Sequence, residues 1–257
     1  MSITPLGSRN LSVTGNNLTH SLFNFTNAIT VGDLLVLGLM GYKRSGGATV
    51  QAGVPATVGS AEVWTEVANQ LVTSDAEDML WIGVYTSTAL AGYAAGNFEV
   101  DTTFPVATRF GGALIKHSET STQQDSLSLH NGAEPWTSSF DSAPAFATSK
   151  FIFSGTRKGL SGETEVDWPT PSGFSMGEGS GGNYNYSWAW YYWDGDVSET
   201  DFTWDWGAFV TEVDQAVYMA EYGAGPPAAA GVKVLETKLH LKQLPNKVYA
   251  ASLDGWA

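Results

Sequence analysis

Short runs of aliphatic and aromatic residues alternate with turn-forming residues along most of this chain. Six such runs are bounded by Gly, Asn, Ser or Asp: Asp33–Tyr42, Met79–Thr86, Phe110–Lys116, Lys150–Thr156, Tyr186–Trp193 and Gln215–Tyr222. Runs of this length and composition are typical of β-strands. No window of helical length places apolar residues at the i, i+3, i+4, i+7 spacing. The pattern therefore predicts an all-β protein.

The same order of segments occurs twice along the chain. The first series consists of DLLVLGLMGYKRSGG, VWTEV, MLWIGVYTST, NFEVD and GGALIKHSE. The second series consists, in the corresponding order, of SKFIFSGTRKGLSG, SGFSMG, YSWAWYYWDG, DFTWD and DQAVYMAEYG. Aligning the two series matches Lys43 with Lys158, Trp64 with Phe174, Trp81 with Trp188, Phe98 with Phe202, and Leu114 with Val217. A duplication explains this order, and chance similarity between strand-like segments is the alternative.

If the halves are repeats, each supplies about four strands and cannot bury its apolar face alone. The two halves should then pack together as one jelly-roll-like antiparallel β-sandwich of about eight strands. The predicted sandwich covers residues 32–222, with pseudo-repeats at 32–118 and 148–222 and a polar linker between them.

Two segments flank the predicted sandwich. Residues 1–31 are rich in Asn and Thr and are predicted to be a lead-in or attachment segment. At the other end, GAGPPAAAG at 223–231 predicts a hinge. The segment 232–257 that follows is basic, with four lysines that we expect to dock onto an acidic partner: Lys233, Lys238, Lys242 and Lys247. An ordinary last strand with solvent-facing lysines is the alternative.

The charge distribution narrows the classes of partner. The formal net charge is −14, and between Leu160 and Tyr222 there are twelve Asp or Glu and no Lys or Arg. Phosphate contacts require clustered Lys and Arg, so we do not expect nucleic-acid binding. The chain has no cysteine, which excludes disulfides and thiolate metal sites. Neither a signal peptide nor a membrane-length apolar run is visible, so we expect cytosolic synthesis and no membrane.

The catalytic motifs are weak. GFSMG at 173–177 matches the nucleophile elbow around Ser175, but Pro169 and Pro171 precede it where that motif needs a buried strand. The four histidines lack the spacing of metal ligands. We therefore expect a protein that is not an enzyme and has no catalytic residues and no metal.

The stretch NYNYSWAWYYWDG at 183–195 is the strongest candidate for a binding site. Tyr and Trp faces stack on sugars, but they also fill cores and subunit interfaces, and all three interpretations remain open. Trp188, as the match of Trp81, is expected in the core. The residues predicted to contact a glycan or an interface are Tyr184, Trp190, Trp193, Asp194 and Asp196. Carboxylates between 194 and 205 also suggest calcium as an alternative, and we expect no other cofactor.

A family resemblance adds to these observations. The succession GDLLVLGLMGYK, W-T-E-V, LWIGVYTSTALAGYAAGNFEV and a further apolar strand resembles bacteriophage virion β-sandwich proteins. These are head decoration (cement) proteins, head fibres or spikes, and tail-fibre modules. The resemblance covers residues 25–118 and, through the repeat, 148–222.

The resemblance implies a non-enzymatic structural protein of a virion, made in the host cytoplasm. It would form a homo-oligomer and contact other capsid or tail proteins. The alternative function is a carbohydrate-binding module or a tail-fibre adhesin that binds a host surface glycan.

Overall fold

All regular structure in the described part of the chain is β-strand. The structure, a computed structural model, describes residues 3–13, 18–21, 27–44, 51–59, 61–75, 78–96, 98–104, 108–118, 122–132, 136–139, 148–160, 174–179, 186–195, 201–204 and 210–222. Its strands are β1 (Ile3–Val13), β2 (Leu18–Ser21), β3 (Leu34–Arg44), β4 (Ala56–Thr57), β5 (Thr65–Asp75), β6 (Asp78–Thr88), β7 (Val100–Phe104), β8 (Thr108–His117), β9 (Thr122–Gly132), β10 (Trp136–Ser139), β11 (Thr148–Leu160), β12 (Ser175–Gly179), β13 (Tyr186–Gly195), β14 (Asp201–Trp204) and β15 (Val210–Tyr222). The six strands expected from the sequence are all present, and the all-β prediction is confirmed.

The strands form two large sheets and two small ones. The first large sheet has the order β1-β8-β3-β6-β5, and the second has the order β12-β13-β11-β15-β9. A first cover sheet, β2-β7-β4, and a second cover sheet, β10-β14, complete the structure. Every strand pair is antiparallel.

The two halves of the chain have the same connectivity. Within the first half, the first strand pairs with the eighth, the second with the seventh and the third with the sixth. This nested pairing is that of a jelly roll. The second half repeats these pairings. Its strands correspond one to one with those of the first half: β9 to β1, β10 to β2, β11 to β3, β12 to β5, β13 to β6, β14 to β7 and β15 to β8. The expected number of four strands per half was therefore too low, because each half has its own large sheet and cover sheet.

The additional strands come from segments that were expected to lie outside the sandwich. β1 and β2 belong to the region 1–31, which was predicted to be a lead-in, and β9 and β10 belong to the predicted linker. β1 pairs with β8, and β9 pairs with β15, so each segment forms one edge of a large sheet. The hinge at 223–231 and the basic segment 232–257 lie outside the described residues.

Three hydrophobic clusters separate four layers of sheet. The first outer core joins the first large sheet to its cover sheet and includes Leu37, Trp81, Tyr85 and Phe98. The second outer core does the same for the second half and includes Ile152, Tyr191, Phe202 and Trp204. The central core lies between the two large sheets. Each large sheet therefore buries both of its faces, which explains why its strands are apolar at both parities.

The central core combines aliphatic side chains from one sheet with aromatic side chains from the other. The first sheet supplies residues such as Val36, Ile82 and Ile115, whereas the second supplies Phe153 and Trp188, among others. The larger rings require close approach to the backbone of the facing sheet. A Cβ on Gly111 would lie 2.0 Å from Trp188 Nε1, and a Cβ on Gly38 would lie 2.4 Å from Phe153 Cδ2. Glycines in β8 and β3 therefore make the space that these rings occupy.

Replacing Gly111 should test this close approach. We expect Gly111→Ala to lower the free energy of unfolding by about 1–3 kcal/mol or more, because the added methyl overlaps a fully buried indole. The control is Gly92→Ala, whose Cβ would meet only Ile29 O at 3.7 Å. Urea unfolding of both variants measures the difference, and an equally small effect at the two positions would contradict the proposed packing.

Candidate functional site

The aromatic strand β13 is buried on both of its faces. Trp188 and Trp190 point into the central core and are 0% and 2% exposed. Tyr191 points the other way, into the second outer core, where Trp193 packs partly buried at the margin. The strand lies between β11 and β12, so neither its edges nor its faces are open along its central residues.

Trp190 is enclosed by side chains and by backbone. Its ring stacks on Tyr192 with centroids 5.5 Å apart and lies 6.4 Å from the ring of Phe151. On the β12 side, a Cβ on Gly177 would lie 1.9 Å from Trp190 Cζ2. A ring this enclosed is not available to stack on a sugar, and its burial favours the core among the three interpretations of this strand.

The other predicted site residues are only partly placed. Trp193 meets Phe174 edge to face, with centroids 5.4 Å apart, so part of its surface contributes to packing. Asp194 pairs through its backbone with Ser149 near the end of β13. Tyr184, Asp196 and the four docking lysines Lys233, Lys238, Lys242 and Lys247 lie outside the described residues. The structure therefore brings Trp193 and Asp194 to one strand end and does not test the rest.

The match of Trp188 with Trp81 is wrong, although Trp188 is in the core as expected. Trp81 belongs to the first outer core, whereas Trp188 belongs to the central core. The residues of β6 that share the central core with Trp188 are Leu80, Ile82 and Val84. A shift of one residue moves a strand's side chains to the other face, so the alignment of β6 with β13 was out of register by an odd number of residues.

The catalytic motif around Ser175 has no suitable setting. Ser175 begins β12, a five-residue strand at the edge of the second sheet, and it is exposed. β12 is the second-half counterpart of β5, which begins at Thr65, in agreement with the sequence alignment. Across the described ranges, no three His, Asp or Glu side chains are grouped closely enough to hold a metal ion. No helix in those ranges is long and apolar enough to cross a membrane.

A buried ion pair that no sequence motif indicates lies beside the second outer core. Lys150 of β11 lies opposite Glu221 of β15, and their Nζ and Oε1 atoms are 2.9 Å apart. Both side chains are fully buried. The ammonium group also lies 5.9 Å from the ring centroid of Phe202, which adds a cation–π contact. The two charges compensate each other in an apolar setting and lie opposite each other in this register of β11 against β15.

Replacing one member of this pair should be far more damaging than replacing both. We expect Glu221→Leu or Lys150→Met alone to lower the free energy of unfolding by about 3–5 kcal/mol, because an unpaired charge remains buried. The double variant should recover most of that loss. Chemical denaturation of the three variants forms a double-mutant cycle, and additive losses would show that the two charges do not interact.

Four tyrosines are buried enough to have altered acidity. Burial raises the pKa of Tyr191 and is the main cause of the raised pKa values of Tyr85, Tyr218 and Tyr222. The negative charge of Glu66 adds to the effect on Tyr85, and the proximity of Tyr222 and Asp125 adds to the effect on Tyr218. In the native protein these phenols therefore remain protonated at pH values where exposed tyrosines ionise.

Stability should consequently fall as the pH rises above about 10, the ordinary tyrosine pKa. Above that pH the unfolded chain releases phenolic protons that the folded chain retains, so ionisation favours unfolding. We expect Tyr191→Phe to make the loss of stability with pH less steep. Absorbance of phenolate measured alongside circular dichroism tests this, and ionisation of these tyrosines before unfolding would contradict it.

The comparisons with known proteins identify no relative. No family model, no curated protein sequence and no solved structure matches this chain.

Proposed function

We propose that this chain is a non-enzymatic structural protein of a virion, namely a capsid decoration (cement) protein or a head fibre or spike of a tailed bacteriophage. The observation that carries the proposal is the tandem arrangement of two halves with jelly-roll connectivity. Eight-stranded jelly rolls are the fold of many viral capsid domains and of lectins. The resemblance of residues 25–118 and 148–222 to phage virion proteins favours the virion among these roles.

The packing of the molecule is consistent with a structural role. The large sheets bury both faces, and the three cores use most of the large aromatic side chains of the described strands. Contacts with other proteins would then be made through sheet edges, loops and the terminal segments. Such a domain suits repeated contacts with identical neighbours or with a capsid surface, because its rigid sheets hold the contacting edges in fixed positions.

The carbohydrate-binding alternative is weakened but keeps one candidate region. Trp190 is buried, which leaves Trp193 and the end of β13 as the part of the aromatic strand that a glycan could reach. Fold alone does not distinguish the two functions, since lectins also use jelly rolls. We therefore propose the structural role, and glycan binding is the alternative function that a glycan array tests.

Analysis of particles tests the proposal directly. Virions are purified from a culture whose virus encodes this chain and are analysed by quantitative mass spectrometry and cryo-electron microscopy. We expect the chain in many copies per particle, on the outer surface of the head. Its absence from intact virions would overturn the proposal.

A glycan array probed with the purified protein provides the second measurement. Specific binding that is lost in Trp193→Ala, together with absence from the head, would favour the adhesin function instead. Phe174→Ala serves as the control variant, because it removes the ring that packs against Trp193 without removing the indole itself.

A further inference from the structure

The large sheets present four edges whose outer backbone groups have no strand partner among the described residues. Such edges can pair with another chain, and proteins usually protect them with proline, bulges or short strands. Three of the edges are protected. β1 contains Pro5 and a register shift at that residue, β5 contains two register shifts, and β12 has only five residues with a register shift at Met176.

The fourth edge, β9, has a register shift only at its beginning, between its pairs with Tyr222 and Glu221, and is regular along the rest of its length. It pairs with β15 over nine consecutive residue pairs, from Val213 with Gly132 to Glu221 with Gln124. Its sequence, TQQDSLSLHNG, contains no lysine and no proline, and Asp125 is its single charged residue. β9 is therefore the edge best suited to accept another strand.

Two exposed leucines form an apolar centre on the inner side of β9, next to Asp125 on the same face. Leu127 and Leu129 are 38% and 55% exposed. They lie opposite Tyr218 and Ala216, which belong to the central core. The last strand of the first sheet, β5, contacts β11 and β15, so β9 lies one strand further out. The leucines thus continue the central core beyond the point where the first sheet covers it.

We propose that β9 binds residues 232–242 of a second copy of this chain as an added antiparallel strand. Within this segment, LETKLHLK at 235–242 alternates strictly between Leu or Thr and polar residues. Such a strand would extend the leucine row of β9 with Leu239 and Leu241 on one face. Its other face would carry Lys238 and Lys242, which are attracted to a chain with a net charge of −14.

Chain direction favours the tail of another copy over the chain's own tail. β15 ends at Tyr222, beside Thr122 at the beginning of β9. The chain therefore leaves the sheet at the end from which β9 departs, and its own tail would meet β9 in parallel. To pair antiparallel, residues 223–231 would first have to run the whole length of β9, which has 11 residues. Nine residues span about 30 Å only when fully extended, so the linker would have no slack. A second copy has no such restriction, and antiparallel pairing is the more stable arrangement.

The proposed contact does not depend on the virion role, because it follows from the edge and the tail alone. Each copy has one acceptor edge and one donor tail. Association therefore produces either a reciprocal dimer, in which both tails are exchanged, or an open chain of copies. Either product differs in mass from the 27.4 kDa monomer.

Two full-length variants test the proposal by complementation. The edge variant, Leu127→Lys with Leu129→Lys, places charges on β9 but keeps the tail, and the tail variant, Leu239→Asp with Leu241→Asp, keeps β9. The control, Met176→Lys, changes a residue of similar exposure (39%) on β12, the opposite edge of the same sheet. Light scattering over a range of concentrations gives the mass of each, and circular dichroism confirms that each is folded.

We expect the wild type and the control to associate, and each double variant alone to remain at the monomer mass. An equimolar mixture of the two variants should again form dimers, since one supplies the edge and the other the tail. Association of the tail variant alone would indicate pairing between two β9 edges and would overturn the proposal. A wild type that stays monomeric at all concentrations, or a mixture that does not associate, would overturn it equally, even if the chain is found in virions.

Discussion

The contact on which the rest of the structure depends is the packing of the two large sheets against each other. Trp188 and Phe153 of the second sheet lie against glycines of β8 and β3, where no side chain could be accommodated. Sheets in a sandwich pack about 10 Å apart, so large rings fit only where the facing sheet is reduced to backbone. This contact buries the second face of both large sheets, whose first faces are already covered by the small sheets. Each half could form its own two-layer sandwich, but the apolar inner face would remain exposed without the other half.

This arrangement explains which parts of the fold the sequence could predict. The six central strands were recognised because both of their faces are apolar and turn residues bound them. β1 and β9 were missed because edge strands are covered less and carry many polar residues, as in TQQDSLSLHNG. The error in register between Trp81 and Trp188 arose because β6 and β13 are apolar on both faces. A strand that is apolar on one face has a fixed parity, whereas a strand that is apolar on both faces can be aligned with either parity.

The candidate site was harder to predict for a related reason. Aromatic residues that fill a core and those that bind a sugar have the same composition and alternation, and only the burial of Trp190 distinguishes them here. The ion pair of Lys150 with Glu221 could not be predicted, because its members are far apart in sequence and meet only when β11 pairs with β15. A buried charge is costly without its partner, so any register of β11 against β15 that separated Lys150 from Glu221 would be disfavoured.

The same physical constraint limits how the molecule can associate. Since the faces of the large sheets are already buried, additional strands can be accepted only at the edges, and three of the four edges are irregular or short. The remaining edge lies next to the strand from which the basic C-terminal segment departs, but its direction suits the tail of another molecule better. A fold that uses its sheet faces internally and leaves one regular edge open would give a directional contact between copies. Such a contact adds copies in a fixed orientation, which is the geometric requirement for a protein that forms part of a regular assembly.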